Sequence, residues 1–226
     1  MYTPNPLDIA QFDVADARAF VDFWNFISTE DHSIYFKELN VGNDLTEDNV
    51  RGLLRWKDSR WAAERLKNGA PNPKVVRVLK SLSVINQFRN DQITEDEMRR
   101  TADQVFPSGA VWKFFLLHIA KPHIYPLADV NAFRVCALHG RETKEPYTWK
   151  TYETYCDYFG LIAETLGVER TIENIRSLKR IDNALVKFGQ FLGAYSPVVL
   201  KPVATNVIAL PFRAGENFSS ADTAGV

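Results

Sequence analysis

Cysteine is scarce in this chain of 226 residues: Cys136 and Cys156 are the two. Two cysteines make no disulfide framework, and an iron–sulfur cluster, which takes four such ligands, is excluded. His118, His123 and His139 lie near one another along the chain, but their spacing is not that of a metal site. Glycine signatures are missing as well. There is no phosphate-cradling loop, no dinucleotide fingerprint and no nucleophile elbow, so no motif calls for a cofactor or a metal. No apolar stretch approaches the length of about 20 residues that a bilayer span needs. The first residues are polar and proline-bearing, with no basic segment ahead of an apolar run, so no secretory signal is expected and a reducing cytoplasm fits. The net charge of −1 argues against a protein that coats nucleic acid by charge alone. A short phosphate-binding site needs only a local basic surface.

What is present reads as helix after helix. Phe20, Trp24 and Ile27 recur at helical spacing in a segment over about 15–27. Ile34 to Phe36 is compatible with a strand or a turn of helix. Thr46, followed by Glu47 and Asp48, opens a helix to about Lys57, with acidic residues where the helix dipole favours them. The loop Asn68 to Pro73 precedes a helix expected to run to about Asn90, and Thr94 with Glu97 forms a capping box for another, to about Val105. Two longer helices are expected over about 148–166 and 171–191. Val198 to Leu200 and Val207 to Leu210 are open to short strands or an extended arm, and the small, polar residues 216–226 to disorder.

The chain is organised around Phe106 to Cys136. Pro107 and Gly109 are turn formers, and Val111 to Ala120 is almost continuously apolar and too long for a strand, which predicts a buried helix. Pro122 ends it, Pro126 keeps the following connection extended, and Asp129 stands at the N-cap position of the next helix. Asp129 has two readings. One is a cap and nothing more. The other is a carboxylate held by a rigid linker at a cleft, where it can activate a water or stabilise a developing cation.

Pro107-Ser-Gly-Ala-Val111 and Asp129-Val-Asn-Ala-Phe-Arg-Val135 together resemble the helix-hairpin-helix DNA glycosylases. In that superfamily a glycine-bearing hairpin grips a DNA phosphate, and an aspartate five residues before an Arg-Val pair is catalytic. Asp129, Arg134 and Val135 keep that spacing over a match of roughly 35 residues. Three positions depart. The hairpin has the single Gly109 where two glycines are usual, Asn131 stands in place of a histidine, and Trp112 occupies the place of the lysine that forms a Schiff base in bifunctional members, with Lys113 one residue later.

The resemblance implies an all-α, two-lobed domain with a cleft between lobes: one lobe from about 1–45 and 147–200, the other from about 46–146. It implies a monofunctional, monomeric enzyme that hydrolyses the N-glycosidic bond of a damaged or modified base flipped out of double-stranded DNA. Asp129 is the expected catalytic carboxylate and Lys113 a secondary catalytic candidate. Ser108, Gly109, Ala110 and Val111, with Lys121 and Arg134, are the expected DNA contacts. Trp56, Lys57 and Trp112 are the expected base pocket, because a planar stacker beside a cation suits an extruded nucleotide. The alternative is a non-catalytic helical module that binds DNA or a protein on a similar scaffold.

Overall fold

The computed structural model describes residues 14–28, 32–59, 63, 65–139, 141, 143 and 147–199. The N-terminal arm to Asp13, Arg60 and Trp61, the glycine at 140, most of the charged loop to Pro146, and the segments around 207–210 and 216–226 lie outside them. The described residues form ten helices and no strand, as the periodicity predicts. They are α1 (Val14–Ile27), α2 (Ser33–Glu38), α3 (Glu47–Lys57), α4 (Pro73–Lys80), α5 (Leu82–Arg89), α6 (Glu95–Val105), α7 (Ala110–Ala120), α8 (Val130–Leu138), α9 (Trp149–Thr165) and α10 (Ile175–Val199). No helix among the described residues is long and apolar enough to cross a membrane.

Local chemistry sets most boundaries. Thr46 and Thr94 cap α3 and α6, each with a reciprocal bond from the residue three positions on, Asn49 and Glu97. The single helix expected from Pro73 to Asn90 is divided. The Ser81 hydroxyl donates to the Arg77 carbonyl at 3.1 Å, and its amide is shared between Arg77 and Val78. Such back-bonding by serine bends a helix, and here it separates α4 from α5. Ile34 to Phe36 falls inside α2, with Tyr35 completely buried. The last helix starts later than expected, because the chain turns at Thr171 to Asn174, and it continues through Val198 and Val199.

The core lies around α7, whose residues Phe114 to Ala120 are all buried. Each of Leu116 and Leu117, fully enclosed, contributes on the order of 2 kcal/mol by leaving water. Phe114 stacks on Tyr152 of α9 with ring centres 4.3 Å apart and planes 7° from parallel. α10 packs against α1 on one side and α8 on the other. Gly189 permits the second contact, since a Cβ there would overlap the Asn131 backbone carbonyl. The expected lobe boundary groups α8 with the middle helices and α2 with the terminal ones; in the fold, α8 packs on α10 and α2 on α3.

Candidate functional site

The connection between α7 and α8 is held by buried side chains as well as by its prolines. His118 of α7 hydrogen-bonds through Nδ1 to the Tyr125 carbonyl at 2.7 Å. The carbonyl can only accept, so Nδ1 carries the proton, and Nε2 accepts from the Tyr35 hydroxyl at 2.8 Å. Burial pushes the His118 pKa down to about 3, which keeps the ring neutral. From α9, the Tyr152 hydroxyl donates to the Pro126 carbonyl at 2.8 Å and the Tyr155 hydroxyl to the Leu127 carbonyl at 3.1 Å. From α10, Asp182 accepts from the Leu127 amide at 3.4 Å. Side chains of three helices thus fix the backbone that delivers Asp129.

Asp129 caps α8. Its Oδ1 accepts the Asn131 and Ala132 amides at 2.8 and 2.9 Å, and its Oδ2 accepts the Asn131 side-chain amide at 3.3 Å. A carboxylate offers about four acceptor positions, so capping leaves one. The same side chain lines a pocket of about 160 Å³. A dry cavity of about 150 Å³ holds benzene, so the space suits one aromatic ring. Trp56 and Lys57 at the end of α3 form one wall, Leu127 to Asp129 another, and Lys179, Asn183, Val186, Lys187 and Gln190 of α10 a third, with Ser28 after α1. The α10 residues follow one another at helical spacing on a single face.

The expected residues separate into two groups. Asp129, Trp56 and Lys57 meet at this pocket. Trp112 does not line it: the indole packs on Phe106 and Phe115, 6.0 and 5.8 Å between ring centres, and Phe115 in turn lies 5.8 Å from the Lys57 amine. Lys113 is also elsewhere, its amine 2.6 Å from Asp103. One residue of helix rotates a side chain by about 100°, enough to take it to another face. Lys121 is buried, ion-paired with Asp91 and poised 4.4 Å over the Phe88 ring, and is no exposed phosphate contact. Arg134 donates to Asn131 at 2.7 Å, extending the polar chain that reaches Asp129. Ser108 and Gly109 are exposed, and Ala110 and Val111 open α7. Gly109 has φ 94° and gives α7 no side-chain cap, so the helix presents its first amides at the turn.

Three pocket features were not anticipated. Lys179 is 5% exposed; its amine donates to Asn183 Oδ1 at 2.6 Å and stands 5.3 Å from the Trp56 ring and 5.5 Å from the Tyr35 ring. Asp182 is buried behind Leu127, and its Oδ1 accepts no hydrogen bond among the described residues. Burial raises its pKa to about 7, opposed by the charges of Lys179 and Lys57. The Ser28 hydroxyl is buried at the pocket without a hydrogen-bond partner among the described residues. Both cysteines are free thiols pushed up to about 12 by burial, so neither is a thiolate nucleophile. Among the described residues no three His, Cys, Asp or Glu side chains converge to hold a metal ion. Comparison with known protein families, characterised proteins and solved structures finds no match to this chain.

Proposed function

We propose that this chain is a monofunctional DNA glycosylase that takes a damaged or modified base into the pocket and hydrolyses its bond to the sugar. The observation that carries the reading is the convergence of Asp129 with Trp56 and Lys57 on a space sized for one ring. Trp56 offers a stacking face to the extruded base, whose unstacking costs a few kcal/mol. Asp129, with an acceptor position left beyond its capping bonds, stabilises the cationic sugar as the bond opens, or takes the proton of an attacking water. The uncapped first amides of α7, at the exposed turn Ser108–Gly109, support a grip on a DNA phosphate, since helix N-termini attract anions. Repair of damaged bases and attack on modified bases of foreign DNA both need this chemistry.

A second reading has its own support. Asp129 accepts three hydrogen bonds from the first turn of α8, as a purely structural cap does, which favours a non-catalytic DNA- or protein-binding module. Asp129→Asn separates the two, because asparagine caps a helix about as well as aspartate but cannot act as a base. Release of a base from a panel of damaged and modified duplexes, read by mass spectrometry, is expected for the wild type and lost by at least a hundredfold in Asp129→Asn. Equal behaviour of the two proteins across the panel overturns the enzymatic reading. Binding that weakens steeply with salt then favours a DNA-binding module.

A further inference from the structure

We infer that the pocket selects neutral bases rich in ring carbonyls, which depart as anions, over bases that already carry a positive charge, and that Lys179 is the residue that decides between them. The inference rests on the glycosylase reading and names its substrate class. A cationic base, such as a purine alkylated at a ring nitrogen, is usually attracted by the electron-rich face of a tryptophan. At this pocket the Lys179 ammonium already lies 5.3 Å from the Trp56 ring centre. A second cation stacked on that indole would meet the lysine's charge at close range.

Among the described residues that line the pocket, cations outnumber carboxylates. α3 supplies Lys57, α10 supplies Lys179 and Lys187, and the linker before α8 supplies Asp129, the one carboxylate among the described residues of the lining. Asp182 lies behind that lining, and its raised pKa of about 7 leaves it only partly ionised near neutrality. Tyr35 and His118, from α2 and α7, are held uncharged by burial. The Ser28 hydroxyl, buried at the pocket without a protein partner among the described residues, is a further polar group for a ligand to meet.

Such a setting suits one kind of leaving group. When the bond between the sugar carbon and the base nitrogen breaks, its electron pair stays on the nitrogen. In a uracil-like or oxidised base the adjacent carbonyls spread that charge, and a nearby ammonium stabilises it. A water oxygen bonds to the sugar carbon and gives a proton to Asp129, and the base anion takes up one proton, so one water is consumed. A base alkylated at a ring nitrogen leaves as a neutral molecule and gains nothing from the lysine.

Single-turnover release from duplexes carrying uracil or 5-hydroxyuracil, set against N7-methylguanine and corrected for spontaneous loss, tests this. The wild type is expected to favour the carbonyl-rich bases by at least tenfold. Lys179→Met is expected to lower their release by about a hundredfold while leaving N7-methylguanine release level or raised, and Lys179→Arg to restore part of the preference. A wild type that releases N7-methylguanine as readily overturns the inference, and this arm needs no variant to fold. A folded Lys179→Met that slows both classes equally also overturns it. Release confined to alkylated bases defeats the selectivity while the glycosylase reading stands; no release from any duplex defeats both.

Discussion

The helices α7 and α8 meet the problem of unpaired first amides in opposite ways. α7 begins at Gly109, in a left-handed conformation with no side-chain cap. α8 begins at Asp129, whose carboxylate satisfies two amides. The first start is exposed, and the second is backed by α9 and α10 through the Pro126 and Leu127 carbonyls and the Leu127 amide. An open helix start is a place for an anion from outside; a closed one holds its own anion in a fixed position. Under the proposed glycosylase reading, the open start suits a grip on phosphate and the closed one suits chemistry.

The comparison is most severely tested where α8 meets α10. Gly189→Ala sets a methyl group against the Asn131 carbonyl, and α8 must shift. A loss of about 3 kcal/mol in chemical denaturation is expected, along with any activity that depends on Asp129. Wild-type stability would show that the two helices separate freely.

The next largest effect is a slope in pH. His118 is buried and His139 half-buried, and desolvation pushes their pKa values down to about 3 and about 4. Below pH 6.5 the unfolded chain protonates both while the folded chain does not, so stability is lost as pH falls. Asp182 acts in the opposite sense. Its raised pKa of about 7 means that the folded chain keeps a proton that the unfolded chain releases above about 4, and stability is lost as pH rises towards 7. Between pH 6.5 and 4.5, the two histidine protons against the one carboxyl proton leave, from these three groups, a mean net loss of about 1 kcal/mol per pH unit on acidification. Asp182→Asn, measured by denaturation across that window, is expected to about double the slope. An unchanged slope would mean that the carboxyl group behind Leu127 does not hold its proton.

The smallest effects separate the two helix starts directly. Asp129→Ala is expected to cost about 1 kcal/mol and Asp129→Asn only a few tenths. Gly109→Ala, at φ 94°, is expected to cost about 1 kcal/mol through backbone strain, and to weaken DNA binding without altering release once DNA is bound. If Gly109→Ala slowed release from bound DNA, the division of labour between the two starts would fail.

Much of the scaffold was legible along the chain because its signals are local. Thr46, Thr94 and Asp129 each mark a helix start by what they offer to amides a few residues away, and Gly109 marks one by the turn it permits. The break at Ser81 was hidden, since a serine hydroxyl can turn to solvent or to the preceding turn and the residue type does not say which. At the pocket, Asp129 and the pair Trp56–Lys57 could be named as candidates. Lys113 and Trp112 could not be placed, because a position along a helix fixes a face only when its phase is known. Lys179, Asp182 and Asn183 gave no warning: a polar residue beside an apolar stripe reads as a solvated face.

The order of residues by itself determined that the described chain is helical, that α7 is buried from Phe114 onward, and where a carboxylate would cap the helix after the prolines. Those outcomes follow from backbone hydrogen bonding and from periodicity within a few turns. Only the tertiary structure decided that α10 turns a lysine and an asparagine towards the pocket shared with Trp56 and Asp129 and buries Asp182 behind it. Whether a polar face meets water or a pocket depends on which helix lies opposite, and that partner is far away in the chain.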